Sequence, residues 1–272
     1  MESIEQIRAR VKQAQKNYHG NMLILEGILR NERGYVSRVP ENEDVVVLCS
    51  GGLDSSVLIQ KIIEDWNVKV HPLFIRRGAR AEKWEEKAFD FFLEFYEKRF
   101  PDNMKDGFKL EYKLPPLEFR KCFPSAMALT VGHPLRNSTM QNLAVMYAVS
   151  IKGRQGIDVK TILTGSVAED NTEPELGLLS LRAQTLSTCV QLGDWEWNIT
   201  SPLSDYYLVE KPVSKKDLIE YSIQKFIPLE KTRTCFGADK IACGECFACK
   251  KRLKAFEELG VHDLLKYGGK NK

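Results

Sequence analysis

The chain has 272 residues, 43% of them hydrophobic, and a formal net charge of +3. That length and composition exclude a disordered or low-complexity chain and suit one domain with appendages rather than two equal domains. The near-balanced charge does not by itself argue for a nucleic-acid partner, and none is expected. With no apolar run of membrane-spanning length and no basic-then-apolar start, the chain reads as soluble and cytoplasmic, with no membrane partner.

In chain order, residues 1–30 read as helical. Ile4, Ile7 and Val11 fall on one face, and Met22, Leu25, Ile28 and Leu29 continue an apolar face after a break near Gly20. Residues 31–44, NERGYVSRVPENED, read as a linker. Residues 45–49 form a continuous β-branched run of the kind buried in a parallel sheet. A helix over 57–66 and a strand over 68–75 follow, then a long helix over 82–99. Residues 109–114 read as a third strand, 137–151 as a helix and 161–163 as a short strand ending in Thr164-Gly165. Strands alternating with helices imply βαβ units and an α/β fold around a parallel sheet.

The junction of the first strand and helix reads SGGLDSS, from Ser50 to Ser56. A strand, a tight glycine loop and a helix N-terminus make an anion site, because backbone N–H groups and the helix dipole both favour negative charge there. The hydroxyls of Ser50, Ser55 and Ser56 add donors. The stretch is neither the G-x-x-x-x-G-K-[ST] pattern nor G-x-G-x-x-G. Asp54 reads either as a Mg²⁺ partner or as an early-helix carboxylate favoured by the dipole, and the two roles are compatible.

Seven cysteines are an odd count, which speaks against a disulfide framework. Cys49, Cys122 and Cys189 are isolated. Cys235, Cys243, Cys246 and Cys249 are clustered, with two consecutive C-x-x-C steps. Four thiolates form a full tetrahedral set for a structural Zn²⁺. A redox pair is the weaker alternative.

SGGLDS resembles the pyrophosphate loop of the PP-loop N-type ATP pyrophosphatases, which cleave ATP between its α and β phosphates and adenylate a substrate oxygen. The cysteine segment, including CGEC and the downstream Arg252, is similar to the zinc site of the 7-cyano-7-deazaguanine synthase family within that group. The resemblance spans roughly residues 45–263. It implies a PP-loop core over 45–230, a zinc-bearing segment over 231–272 and an N-terminal helical extension over 1–44. It also implies ATP, Mg²⁺ and Zn²⁺ as cofactors. By that resemblance Asp54, Ser55 and Lys215 are catalytic. Ser50, Gly51, Gly52, Asp54, Ser55, Ser56, Arg136, Asn137 and Gly165 hold the nucleotide, with Arg136 and Asn137 in HPLRN and Gly165 in LTGSVAED. Arg76, Arg77, Glu169 and Glu175 contact the deazaguanine acid, and the four cysteines bind the metal.

The acceptor half departs from the family pattern. Ile75 stands near a family tyrosine, Gly78-Ala79 replaces Arg-His, Glu173-Pro174-Glu175 replaces Tyr-Pro-Asp, and Gly132-His133-Pro134-Leu135 replaces the family's approach to the arginine. The resemblance implies adenylation of 7-carboxy-7-deazaguanine, followed by amide or nitrile formation with ammonia or by conjugation to a protein amine. The altered residues suit a diverged member, and diverged relatives are associated with bacterial antiphage defence. A housekeeping synthase of queuosine biosynthesis, a tRNA-modifying PP-loop enzyme and a zinc-bearing binding module are the alternatives. The extension's apolar faces must be covered by the core, by a second copy in a homodimer or by a protein acceptor.

Overall fold

The computed structural model describes residues 3–123 and 133–268; Gly132 lies outside them. Among the described residues, β1 (Asp44–Leu48), β2 (Lys69–Arg76), β3 (Phe108–Glu111), β4 (Thr161–Leu163) and β5 (Asn198–Thr200) form one parallel sheet in the order β3-β2-β1-β4-β5. Strand β1 is central. Val46 stands opposite His71 of β2 on one side and Ile162 of β4 on the other. Val45, Val46 and Val47 are all fully buried, as a strand covered on both faces requires.

Alternation along β1 sends its side chains into two different layers. Val45 and Val47 join the core under α3 (Leu53–Trp66), α4 (Glu82–Arg99), and the helices we number α8 (Lys215–Gln224) and α9 (Phe247–Leu259). Val46 joins the opposite core, which includes Met22 of α2 (Tyr18–Arg33), Ala144 and Ile151 of α6 (Arg136–Gln155) and Leu181 of α7 (Leu178–Leu192). Helix α1 (Ile4–Gln15) precedes α2, and a single turn, α5 (Leu117–Arg120), follows β3.

The predicted helix over 82–99 and strand over 161–163 match the observed bounds. The helix expected from 57 begins a turn earlier, at Leu53, so Asp54, Ser55 and Ser56 lie within its first turn. No helix of the described residues is long and apolar enough to cross a membrane.

The N-terminal residues differ from an appended linker. Leu29 and Val36 are buried, and Arg33 donates to the carbonyls of Trp197 (2.6 Å) and Trp195 (3.3 Å) beside β5. Ser37 bonds Asn198 at 3.2 Å. The inner face of α2 is turned from the one expected: Met22 and Leu29 face inward as expected but with Glu26 between them, while Ile28 is exposed.

Glu26 explains the turn. Arg182 is fully buried and donates twice to Asp205, at 2.8 and 2.7 Å, and once to Glu26 at 3.3 Å. Tyr206 and Tyr207 also donate to Glu26. Burial pushes the Asp205 carboxyl up, but the Arg182 hydrogen bonds outweigh it and hold it below the usual range. A depressed carboxyl contributes stability that is present at neutral pH and lost as pH falls through its folded value. Arg182→Met, which strands two buried carboxylates, should lower stability by about 3–5 kcal/mol in urea unfolding at neutral pH. A loss under about 1 kcal/mol would show that the network carries no net stability.

Candidate functional site

Chain direction places the site. From β1 the chain moves to β2 and β3 on one side, and β4 then returns to β1's other flank. The crevice outside the carboxyl ends of β1 and β4 is therefore the topological switch point, where ligands of open α/β sheets bind. Ser50–Gly52 leaves β1 there and Thr164–Gly165 leaves β4.

The first loop is wound by its own hydroxyls. The backbone N–H groups of Ser50 and Gly52 donate to Ser55 Oγ and Ser50 Oγ, each at 3.3 Å. Ser55 and Ser56 are buried in the first turn of α3. Gly51 has φ +69, and a Cβ there would lie 2.4 Å from the Glu85 carbonyl and 2.7 Å from the Phe89 nitrogen. Its glycine is thus required by the approach of α4 as well as by the backbone conformation. A Cβ on Gly165 would lie 2.9 Å from the Ser55 nitrogen, so the β4 loop presses directly on α3.

Four charges meet above this loop. Lys215 Nζ lies 2.6 Å from both Asp54 oxygens. Asp170, in a 3₁₀ turn after β4, lies 3.5 Å from Lys251 Nζ. Burial and then the charge of Asp54 push the Asp170 carboxyl up, while Lys251 and Lys215 oppose the shift. Asp54 and Asp170 are two carboxylates whose charges act on each other, a pairing that suits a divalent cation. Glu169 accepts from the Lys215 N–H at 3.0 Å, and so caps the helix that carries Lys215.

A second group lies beside the first. Arg77 pairs with Glu85 at 3.2 Å, and the carbonyl of Glu85 is the one packed on Gly51. Burial and then Arg77 lower Arg136 from its ordinary value. Glu175 is pushed up by burial; Arg136 and the N–H groups of Arg136, Leu135 and Asn137 act against this, and Asn137 Nδ2 donates to it at 3.3 Å. Arg77, Glu85, Arg136, Asn137 and Glu175 are therefore gathered, with Glu175 on the N-terminus of α6. Arg76 is instead committed to Glu86, at 2.5 and 3.1 Å.

The four clustered cysteines converge. Their Sγ atoms all lie within 4.8 Å of one another, with 3.6 Å between Cys235 and Cys243 and 4.0 Å between Cys243 and Cys249. A tetrahedral ion with metal–sulfur bonds of about 2.3 Å needs sulfurs about 3.8 Å apart, so the set fits one such ion. The N–H groups of Cys246 and Glu245 draw the Cys243 thiol down to about 7, whereas burial pushes the Cys249 thiol up. Gly244 at φ +75 makes the turn between ligands.

Arg233 ties this segment to the anion loop. Its N–H donates to the Gly51 carbonyl at 2.8 Å. Its guanidinium donates to the carbonyls of Cys235, Gly237, Asp239 and Lys240, at 2.6 to 3.1 Å. Sequence reading passed over Arg233, Glu85, Asp170 and Lys251. Asp170 had a local signal, since it follows Glu169 in LTGSVAED; the others depend on distant contacts.

Gly51→Ala should cost about 2 kcal/mol or more of stability, because a Cβ there overlaps α4 backbone and the φ is unfavourable. Gly52→Ala should cost under about 1 kcal/mol, since Gly52 has φ −74 and the Cβ meets a movable hydroxyl first. Thermal unfolding of the two variants makes the comparison, and equal losses would refute this account of the loop.

Known proteins resemble this chain over much of its length. The profile of a family described as "Queuosine biosynthesis protein QueC" matches residues 124–260. The 7-cyano-7-deazaguanine synthase of Thermoplasma volcanium is 27% identical over 238 residues, covering 82% of this chain and 90% of that protein. That of Chloroherpeton thalassium is 28% identical over 235 residues, covering 82% of this chain and 96% of that protein. The solved NMN synthetase of Francisella tularensis aligns with a TM-score of 0.43 and 12% identity, over 90% of this chain and 82% of that one, a likeness too slight to bear on function. With the profile spanning half of the sequence and running through the whole metal-segment helix, the chain belongs to the QueC family.

Proposed function

We propose that this protein activates 7-carboxy-7-deazaguanine with ATP, releasing pyrophosphate, and then joins the activated carbon to an amine. The observation that carries this reading is the convergence of Asp54, Asp170 and Lys215 on the first turn of the helix that follows the serine–glycine loop. The relatives' name supports the deazaguanine substrate.

A carboxylate is a poor electrophile. Attack of its oxygen on the α-phosphorus of ATP forms an acyl adenylate and expels pyrophosphate. The amine then adds to the acyl carbon, expels AMP and leaves an amide. With ammonia, a second ATP adenylates the amide oxygen, and loss of AMP and the nitrogen-bound protons gives the nitrile. The protein's part is positioning and charge stabilisation. The Ser50–Ser56 loop and Lys215 receive the pyrophosphate. Asp54 with Asp170 would hold Mg²⁺, which when bound neutralises phosphate charge. Arg77 and Arg136 face the acid and the adenylate, and Glu85 and Glu175 offer acceptors to the N–H groups of a guanine-like edge. Cys235, Cys243, Cys246 and Cys249 hold a structural Zn²⁺.

A protein amine is a second reading of the acceptor, as in a defence-type relative, with the protein docked beside residues 1–44. The exposed Leu23 and Ile24 on α2 favour it. Product masses with ammonium alone and with candidate proteins separate the two acceptors.

Supplied with ATP, Mg²⁺, the acid and ammonium, the wild type should release AMP and pyrophosphate in an acid-dependent way. Asp54→Ala should lower kcat by about 10²-fold or more, the scale of lost preorganised electrostatic contacts. ADP as the product would overturn the reading. Elemental analysis should find one zinc per chain, and less in Cys246→Ser with a lower unfolding temperature; full stability without metal would remove the structural role.

A further inference from the structure

The metal segment reaches into the nucleotide site through one side chain. Helix α9 starts directly after Cys246 and carries Cys249 in its first turn, so the sulfur cluster fixes how the helix is rotated. Arg252 fixes its inner face. It is fully buried and donates to Asp263 (2.6 and 2.9 Å), to Thr232 Oγ1 (2.6 Å) and to the Leu229 carbonyl (2.9 Å). Its neighbour Lys251 is thereby directed along the helix flank toward the sheet's carboxyl edge. The Lys251 Nζ lies 4.7 Å from the Phe247 ring centre and 3.5 Å from Asp170 Oδ1.

At 3.5 Å the contact with Asp170 is loose for a charge-assisted hydrogen bond, which is normally about 2.7–2.9 Å. Lys215 holds Asp54 much more tightly, at 2.6 Å. The site thus sets two lysines, from two helices, against two carboxylates. A divalent cation on the carboxylates would release both ammonium groups toward whatever anion the loop binds. About a third of the Lys251 side chain remains exposed, so it has room to move.

We propose that Lys251 is a second phosphate-binding lysine, which leaves Asp170 for the pyrophosphate end of ATP. The proposal rests on the nucleotide reading of the site and deepens it, because the metal segment then supplies a ligand-binding group as well as a structural knot. An amide-to-phosphate contact from the loop can orient the pyrophosphate; a mobile ammonium adds charge as the leaving group develops.

The test is equilibrium binding of inorganic pyrophosphate in excess Mg²⁺, followed by calorimetry on protein that retains its metal. Lys251→Met should weaken binding about tenfold, and Lys251→Arg should recover most of it. Metal content and unfolding temperature should be unchanged in both. Unchanged affinity in Lys251→Met overturns the proposal. So does an equal loss in Lys251→Met and Lys251→Arg, since a phosphate-binding charge would survive in the arginine. Failure of the wild type to bind pyrophosphate would overturn the nucleotide reading itself, an outcome distinct from a silent Lys251 variant.

Discussion

Everything at the site depends on how closely three backbones approach one another. The chain at Gly165 rests on the peptide between Asp54 and Ser55, and the chain at Gly51 rests on the α4 backbone at Glu85 and Phe89. There is no space for a single extra carbon at either contact. Side chains therefore project from a surface whose shape is set by main-chain atoms, which have far fewer ways to adjust than rotamers do. Lys215, Asp170 and Arg77 can be held in fixed relation because the loops that carry or flank them are not cushioned by flexible groups.

Charge is distributed unevenly over this rigid base. The whole chain is nearly balanced, yet arginines and lysines crowd the carboxyl edge of the sheet, each facing a carboxylate. Pairing keeps the edge tolerable without a ligand. It also leaves each cation replaceable, since an incoming anion and a divalent ion can exchange partners with existing pairs. Arg233 is different. Its guanidinium is spent on four carbonyls of the cysteine loop, and only its backbone N–H reaches Gly51. It contributes order to the site rather than charge.

The readable parts of the sequence were those where a few adjacent residues settle the matter. Three valines before a serine–glycine turn define β1 and the loop, and the spacing of Cys235, Cys243, Cys246 and Cys249 defines the sulfur cluster. Helix α9 was hidden because its inward position is an arginine, Arg252, which reads as surface until Asp263 is placed beside it. Strand β5 is three residues long, as β4 is, but Asn198-Ile199-Thr200 has one apolar residue between two polar ones and no Thr-Gly turn after it to mark a strand end. Glu26 hid the true inner face of α2 for the same reason as Arg252. Within the site, Asp54 and Lys215 were legible from motif resemblance, but their contact spans 161 positions, and that of Asp170 with Lys251 spans 81. The glycine at 51 was legible as a turn residue; its second purpose, admitting α4, needs the third dimension. Arg76 and Arg77 are adjacent in sequence, but Arg76 is the last residue of β2 and Arg77 lies beyond it, and the first is bound to Glu86 while the second lies beside Arg136.

The Glu26–Arg182 contact has a consequence for how the molecule is made. Its partners are 156 positions apart, and Tyr207, which also holds Glu26, is 181 positions away. Helix α2 leaves the ribosome early, but the helix and turn that seat it are synthesised only after β4 is complete. Until then Leu178 and Leu181 are missing from the layer that Met22 joins, and Glu26 lacks Arg182. Vectorial synthesis therefore cannot finish the sheet face that α2 covers, and closure of that face waits on the far end of the core. Such distant pairings also raise contact order, which slows the search for the native topology. Helix α2, made early, is seated late.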